Sequence, residues 1–73
     1  MKYVVIEIKT KANGKVETTV DAFDDRFEAE RKYYLVLSSA AVSGVPSHAA
    51  VLLTGDGVSM MHQAYHHAEP EEA

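Results

Sequence analysis

The chain has 73 residues, a net charge of -4 with neutral histidines, and no cysteine. A domain of this size buries only about 60% of its unfolded surface, so its stability margin is thin. Without cysteine, neither a disulfide nor a thiolate zinc site can add support, and oligomerisation is the remaining common route. The lysines and arginines are scattered, which argues against nucleic acid as a partner. Because the apolar runs are too short for a bilayer and no signal-peptide pattern begins the chain, we expect no membrane association and a cytoplasmic protein.

The first part of the sequence predicts a β-hairpin. Residues 3–10 and 16–22 alternate between apolar and polar side chains on either side of the turn signal Asn13-Gly14. A three-residue loop pairs Ile6 with Val20 and keeps both apolar sets on one face, whereas a two-residue loop would bring an aspartate opposite Ile6. We therefore predict a type I turn closed by a G1 bulge, with its glycine in the left-handed conformation.

A helical period replaces the strand period from Asp24 or Asp25 to about Val42. The two aspartates supply an N-cap and a negatively charged first turn, and Gly44 followed by Pro46 ends the helix. The apolar side chains that spread over one broad face, and that we expect to pack on the sheet, are Phe27, Tyr34, Leu35, Leu37, Ala41 and Val42.

Residues 47–54 and 58–65 predict a second hairpin, joined through residues 55–57, which contain an Asp-Gly turn signal. The fold class is therefore α+β, in the order ββαββ, with a four-stranded, mainly antiparallel sheet and one helix packed on one face. This single domain covers residues 1–67, and residues 68–73 form an acidic tail that we expect to be disordered. The first and third strands are the most apolar, which predicts the strand order 2-1-3-4.

One helix leaves part of this apolar surface uncovered. The sheet side chains that we expect beneath the helix are Val4, Ile6, Ile8, Thr18, Val20, Ala22, Ala49, Val51, Leu53, Val58 and Met60. An apolar stripe then remains on the far side of the sheet, and a second stripe remains on the helix. Because a contiguous exposed apolar patch usually marks an interaction site, we predict a homo-oligomer, either a dimer or a larger assembly. The predicted interface residues are Tyr3, Val5, Phe23, Tyr33, Val36, Ala40, Leu52, Met61 and Tyr65.

The four histidines are the only cluster with the chemistry of a metal site. On one strand, His62 and His66 would lie about 13 Å apart, too far to share an ion. His48 and His67 could approach each other across the hairpin, so they are the candidate metal ligands, although solvated histidines at a strand end are the favoured interpretation. No nucleophile elbow or phosphate-binding loop is present, and we predict neither catalytic residues nor a cofactor. A histidine-based metal protein or enzyme, and a module that binds a partner at a sheet edge, are the alternatives.

Three stretches of the sequence carry a resemblance to known proteins: KYVVIEI at residues 2–8, DDRFEAE with KY at residues 24–33, and AAVSGVP through VLLT at residues 40–54. They resemble a group of small uncharacterised proteins of Gram-positive bacteria and their prophages, some of them encoded near phage tail and lysis modules. The resemblance spans nearly the whole chain, supports the fold, and carries over no functional residue. We therefore expect a non-enzymatic, self-associating domain that serves as an accessory or assembly protein of a prophage module.

Overall fold

Four strands and one helix make up the part of the chain, residues 2–67, that the computed structural model describes. The strands are β1 (Tyr3–Thr10), β2 (Val16–Phe23), β3 (Ser47–Thr54) and β4 (Ser59–His66), and the helix α1 is Arg26–Ala41. All neighbouring strands are antiparallel, and the order β2-β1-β3-β4 confirms the predicted one. The predicted acidic tail, residues 68–73, lies outside the described residues.

Both hairpins close with the same three-residue turn. The Gly14 N–H donates to the Lys11 carbonyl over 2.9 Å, and the Gly57 N–H donates to the Thr54 carbonyl over the same distance. Gly14 and Gly57 have φ angles of 88° and 91°, the left-handed conformation that glycine adopts without a steric penalty. The predicted loop and register of the first hairpin are therefore confirmed.

Helix α1 begins and ends where its capping residues predict. The Asp25 side chain accepts a hydrogen bond from the Glu28 N–H over 3.1 Å, and Val42 is the C-cap. The side chains buried against the sheet follow the 4-3-4 spacing of one helix face. These are Ala29, Tyr33, Val36 and Ala40.

The helix covers the face of the sheet opposite to the predicted one. Val5, Ala50 and Leu52 are fully buried beneath it, whereas Val4 and Ile6 alternate with Val5 and so lie on the far side. The helix also packs on the sheet with a different side from the predicted one. Several apolar side chains that were predicted to face the sheet are exposed to solvent, among them Phe27, Tyr34, Leu35 and Val42. The prediction of the packed faces was therefore wrong for the sheet and for the helix.

Chain connectivity explains which face is covered. Strands β2 and β3 both run antiparallel to β1, so β2–α1–β3 is a crossover between parallel strands, and such crossovers are almost always right-handed. The Lys2 carbonyl accepts from Gly55 over 2.7 Å, and the Lys11 N–H donates to Lys15 over 2.8 Å. Even-numbered residues of β1 therefore bond to β3 and odd-numbered residues to β2. In an L-amino acid, the direction of the backbone hydrogen bonds determines the face to which the side chain points. Odd-numbered side chains of β1, including Val5, therefore point to the face that a right-handed crossover from β2 to β3 covers.

Adjacent tyrosines on the helix provide a direct test of this packing. Tyr33 is 3% exposed and Tyr34 is 55% exposed. Tyr33→Ala should lower the free energy of unfolding by about 3–5 kcal/mol, the range for a buried aromatic side chain. Tyr34→Ala should cost at most about 1 kcal/mol, because it loses mainly an edge contact between the two rings.

Chemical denaturation followed by circular dichroism measures both values. If Tyr33→Ala does not fold at all while Tyr34→Ala does, the expected difference between the two variants is also met. An equal or larger loss in Tyr34→Ala would contradict the observed orientation of the helix.

Candidate functional site

The sheet face without the helix is the candidate functional site, and we call it the open face. Strand alternation and the pairing registers assign four residues from each of the four strands to it. They are Val4, Ile6, Ile8 and Thr10 from β1; Val16, Thr18, Val20 and Ala22 from β2; Ser47, Ala49, Val51 and Leu53 from β3; and Ser59, His62, Ala64 and His66 from β4.

The open face carries no formal charge when its histidines are neutral. None of its sixteen residues is Lys, Arg, Asp or Glu. The opposite face, which the helix partly covers, contains Glu7, Lys9, Glu17 and Asp21. A solvated face of an antiparallel sheet normally carries polar side chains. The open face therefore has the composition of a surface that is covered.

Apolar residues occupy the centre of the open face, and polar residues lie towards its margins. At the centre, Ile6 of β1 pairs with Val51 of β3, and Val20 of β2, which is 60% exposed, flanks Ile6. The margin includes hydroxyl and imidazole side chains from the strand ends and from β4. An apolar centre within a polar rim is the usual anatomy of a protein–protein interface.

The residues predicted as an interface instead form the core of the domain. Four belong to the buried cluster between helix and sheet, Ala40 is buried beside it, and three more pack against it. Tyr65 is partly buried and lines a groove beside the cluster. The prediction therefore identified surfaces that meet each other within one chain. The four residues of the buried cluster are Val5, Tyr33, Val36 and Leu52, and the three that pack against it are Tyr3, Phe23 and Met61.

The groove lies between the helix and β4 and has a volume of about 480 Å³. The helix contributes Tyr33, Tyr34 and Leu37, and β4 contributes residues that include Met61 and Tyr65. Burial raises the pKa of the Tyr33 hydroxyl above its ordinary value. The lining is mostly aromatic and thioether, and it includes no residue with a formal charge when His62 is neutral.

A buried histidine–carboxylate pair lies on the helix-covered side of the sheet. His48 Nε2 is 2.6 Å from a Glu7 carboxylate oxygen, and the His48 side chain is only 3% exposed. Among the described residues, His48 Nδ1 has no hydrogen-bond partner. Within residues 2–67, no hydroxyl or thiol bonds to the ring, and its 3% exposure leaves little access for solvent.

The predicted metal ligands do not converge. His67 Nε2 donates to the Ala40 carbonyl over 2.8 Å, at the C-terminal end of the helix, while His48 bonds to Glu7. His62 and His66 lie on the open face. Within residues 2–67, no group of three histidine, cysteine, aspartate or glutamate side chains could hold a metal ion.

Glu7 was not predicted to be part of any site because it alternates with the residues that were expected beneath the helix. The pairing of β1 with β3 contains the missing signal: Lys9 lies opposite His48, which places Glu7 and His48 on the same face.

Comparison with known proteins adds no assignment. No protein-family model, no curated protein and no solved structure matches this chain. The helix of the described segment is too short and too polar to cross a membrane.

A double-mutant cycle tests the Glu7–His48 pair. Glu7→Ala should lower the free energy of unfolding by about 1–3 kcal/mol, because it leaves the buried imidazole without a partner at either nitrogen. His48→Leu combined with Glu7→Ala should cost less than the sum of the two single substitutions.

Urea denaturation of the four proteins gives the coupling energy. Strict additivity would show that the two side chains have no interaction energy, despite their short distance.

Proposed function

We propose that this chain is a non-enzymatic, self-associating domain whose open face packs against the open face of a second copy. The observation that carries the proposal is the uncharged, largely apolar composition of the sheet face that the helix leaves bare. An accessory or assembly role in a prophage module is part of the proposal, and that part rests on the sequence resemblance alone.

The dimensions of the open face suit a dimer. A strand of eight residues is about 26 Å long, and four strands side by side are about 19 Å wide. Two such faces in contact would bury roughly 1,000 Å² in total, which reaches the lower limit for a specific interface. The sheets would stack as a sandwich with one helix on each outer side.

Charge favours the open face, over the other surfaces, as the place where two copies meet. The chain has a net charge of -4, so most surfaces of two copies repel each other weakly at neutral pH. The open face carries none of these charges, and its apolar centre meets an identical apolar centre under a two-fold rotation. Association also adds apolar burial to a domain whose own core is small.

The histidine-based alternative has less support. His48 and His67 bond to separate partners, and the enclosed His48 ring offers no access for a substrate. The sheet-edge alternative concerns a different surface, which is independent of the open face.

Charge placed at the centre of the open face tests the proposal. Val51→Lys should halve the solution mass, because two lysines would be buried without partners at the interface. Leu35→Lys, on the exposed side of the helix, is the matched control and should leave the mass unchanged.

Light scattering across a concentration series measures the mass, and circular dichroism verifies that each variant is folded. The proposal fails if the wild-type protein keeps the 8.0 kDa mass of one chain at every concentration. It also fails if folded Val51→Lys retains the wild-type mass.

A further inference from the structure

Within residues 2–67, the two edges of the sheet that no further strand covers differ in chemistry. Strand β2 carries Glu17 and Asp21, whereas β4, from Ser59 to His66, contains no Lys, Arg, Asp, Glu or Pro. Charged side chains and proline are the usual means by which proteins prevent edge strands from pairing with other chains. Two β2 edges brought together would also place carboxylates near each other. The β4 edge lacks this protection.

The free backbone groups of β4 can be assigned from its pairing with β3. The His67 N–H donates to the Pro46 carbonyl over 2.8 Å, so odd-numbered residues of this strand bond inwards. The outward N–H and C=O groups therefore belong to His62, Ala64 and His66. The register shift lies at the first residues of β4, so the stretch from residue 61 to residue 66 is regular.

The groove described above lies along this edge. It is lined by Tyr34 and Leu37 of the helix together with Met61 and Tyr65 of β4. A strand added beside β4 would direct alternate side chains into the same layer, beneath the helix. The groove therefore favours an uncharged strand with long apolar side chains, and β4 itself has these properties.

We infer that β4 pairs with β4 of a second copy in an antiparallel ladder centred on Gln63. This register pairs even-numbered residues with even-numbered ones, as their outward hydrogen-bonding groups require. It also brings Met61 opposite Tyr65 of the other copy, a sulfur–aromatic contact within the groove. The two sheets then become one sheet of eight strands.

Edge pairing is independent of the open-face proposal, because it uses the rim of the sheet rather than its face. Both contacts can form together, and the assembly closes at four copies where their two-fold axes intersect at right angles. Each contact can also form alone, which gives two copies. The two contacts are therefore distinguishable by the solution mass of variants that remove one at a time.

Proline removes one outward N–H without removing a bond to β3. Ala64→Pro should halve the solution mass of the full-length protein, because the ladder loses its central donors. Thr18→Pro is the matched control: Thr18 lies at the β2 end of the same row across the open face, and its N–H also points outwards. Any fall in mass that Thr18→Pro causes measures the effect of proline through the open face, and Ala64→Pro should lower the mass further.

Combining Ala64→Pro with Val51→Lys should give the 8.0 kDa mass of a single chain. If Ala64→Pro retains the wild-type mass while Val51→Lys halves it, edge pairing is overturned and the open-face interface stands. Equal reductions by Ala64→Pro and Thr18→Pro would also overturn it, because they would indicate an effect through the open face.

A gentler substitution guards against misfolding. Gln63→Glu is nearly isosteric, and Gln63 is solvent-exposed in the single chain. At neutral pH it would place two carboxylates opposite each other at the centre of the ladder, and like charges in this position repel. We expect the dissociation constant of the edge contact to rise at least tenfold, which corresponds to about 1.4 kcal/mol. Protonation of the new carboxyl at low pH should bring the dissociation constant back to that of the wild-type protein at the same pH, where His62 and His66 are charged in both proteins. An unchanged dissociation constant at neutral pH overturns the proposed register.

Discussion

One helix of 16 residues, about 24 Å long, lies across a four-stranded sheet and can bury only one of its two faces. Small residues at the contact, Ala29, Ala40 and Ala50, allow the backbones to approach, and Leu52 and Val5 fill the space between them. These two are the largest side chains that are fully buried in the chain as described. The core is therefore small, and the other face of the sheet keeps apolar side chains such as Val4, Ile6 and Val51 outside it. This imbalance is the source of the proposed self-association.

The distribution of polar groups shows the same imbalance. The covered side of the sheet contains the Glu7–His48 pair and the half-buried acidic residues of β2, while the uncovered side contains no formal charge when its histidines are neutral. If the bare face met only water, charged side chains would be expected on it. On the covered face, an apolar pair would be expected in place of Glu7 and His48, because burial of polar groups is costly. Burial of a carboxylate and an imidazole has a desolvation cost, which their 2.6 Å contact partly offsets.

Local features of this fold could be predicted from the sequence, whereas its packing could not. Gly14 defined the first turn and register, and Asp25 defined the start of the helix, because each acts within a few residues. The packed faces were missed because β1 and α1 are apolar on both sides, so periodicity does not distinguish them. What periodicity lacks is handedness. The Lys11 N–H points towards β2, and together with a right-handed crossover this determines that the helix covers the sheet face that contains Val5. The predicted interface inherited the same error, since its residues form the core.

Symmetry determines whether the two proposed contacts produce a closed particle or a fibre. A two-fold axis between stacked sheets lies parallel to the sheet plane, whereas the axis of an antiparallel β4 ladder is perpendicular to it. Axes that intersect at right angles generate a closed four-copy assembly. Growth of that closed assembly beyond four copies would need the β2 edge, where Glu17 and Asp21 oppose pairing between copies. The charge asymmetry between the two edges therefore provides a physical reason for a finite assembly, even though the sheet exposes two edges.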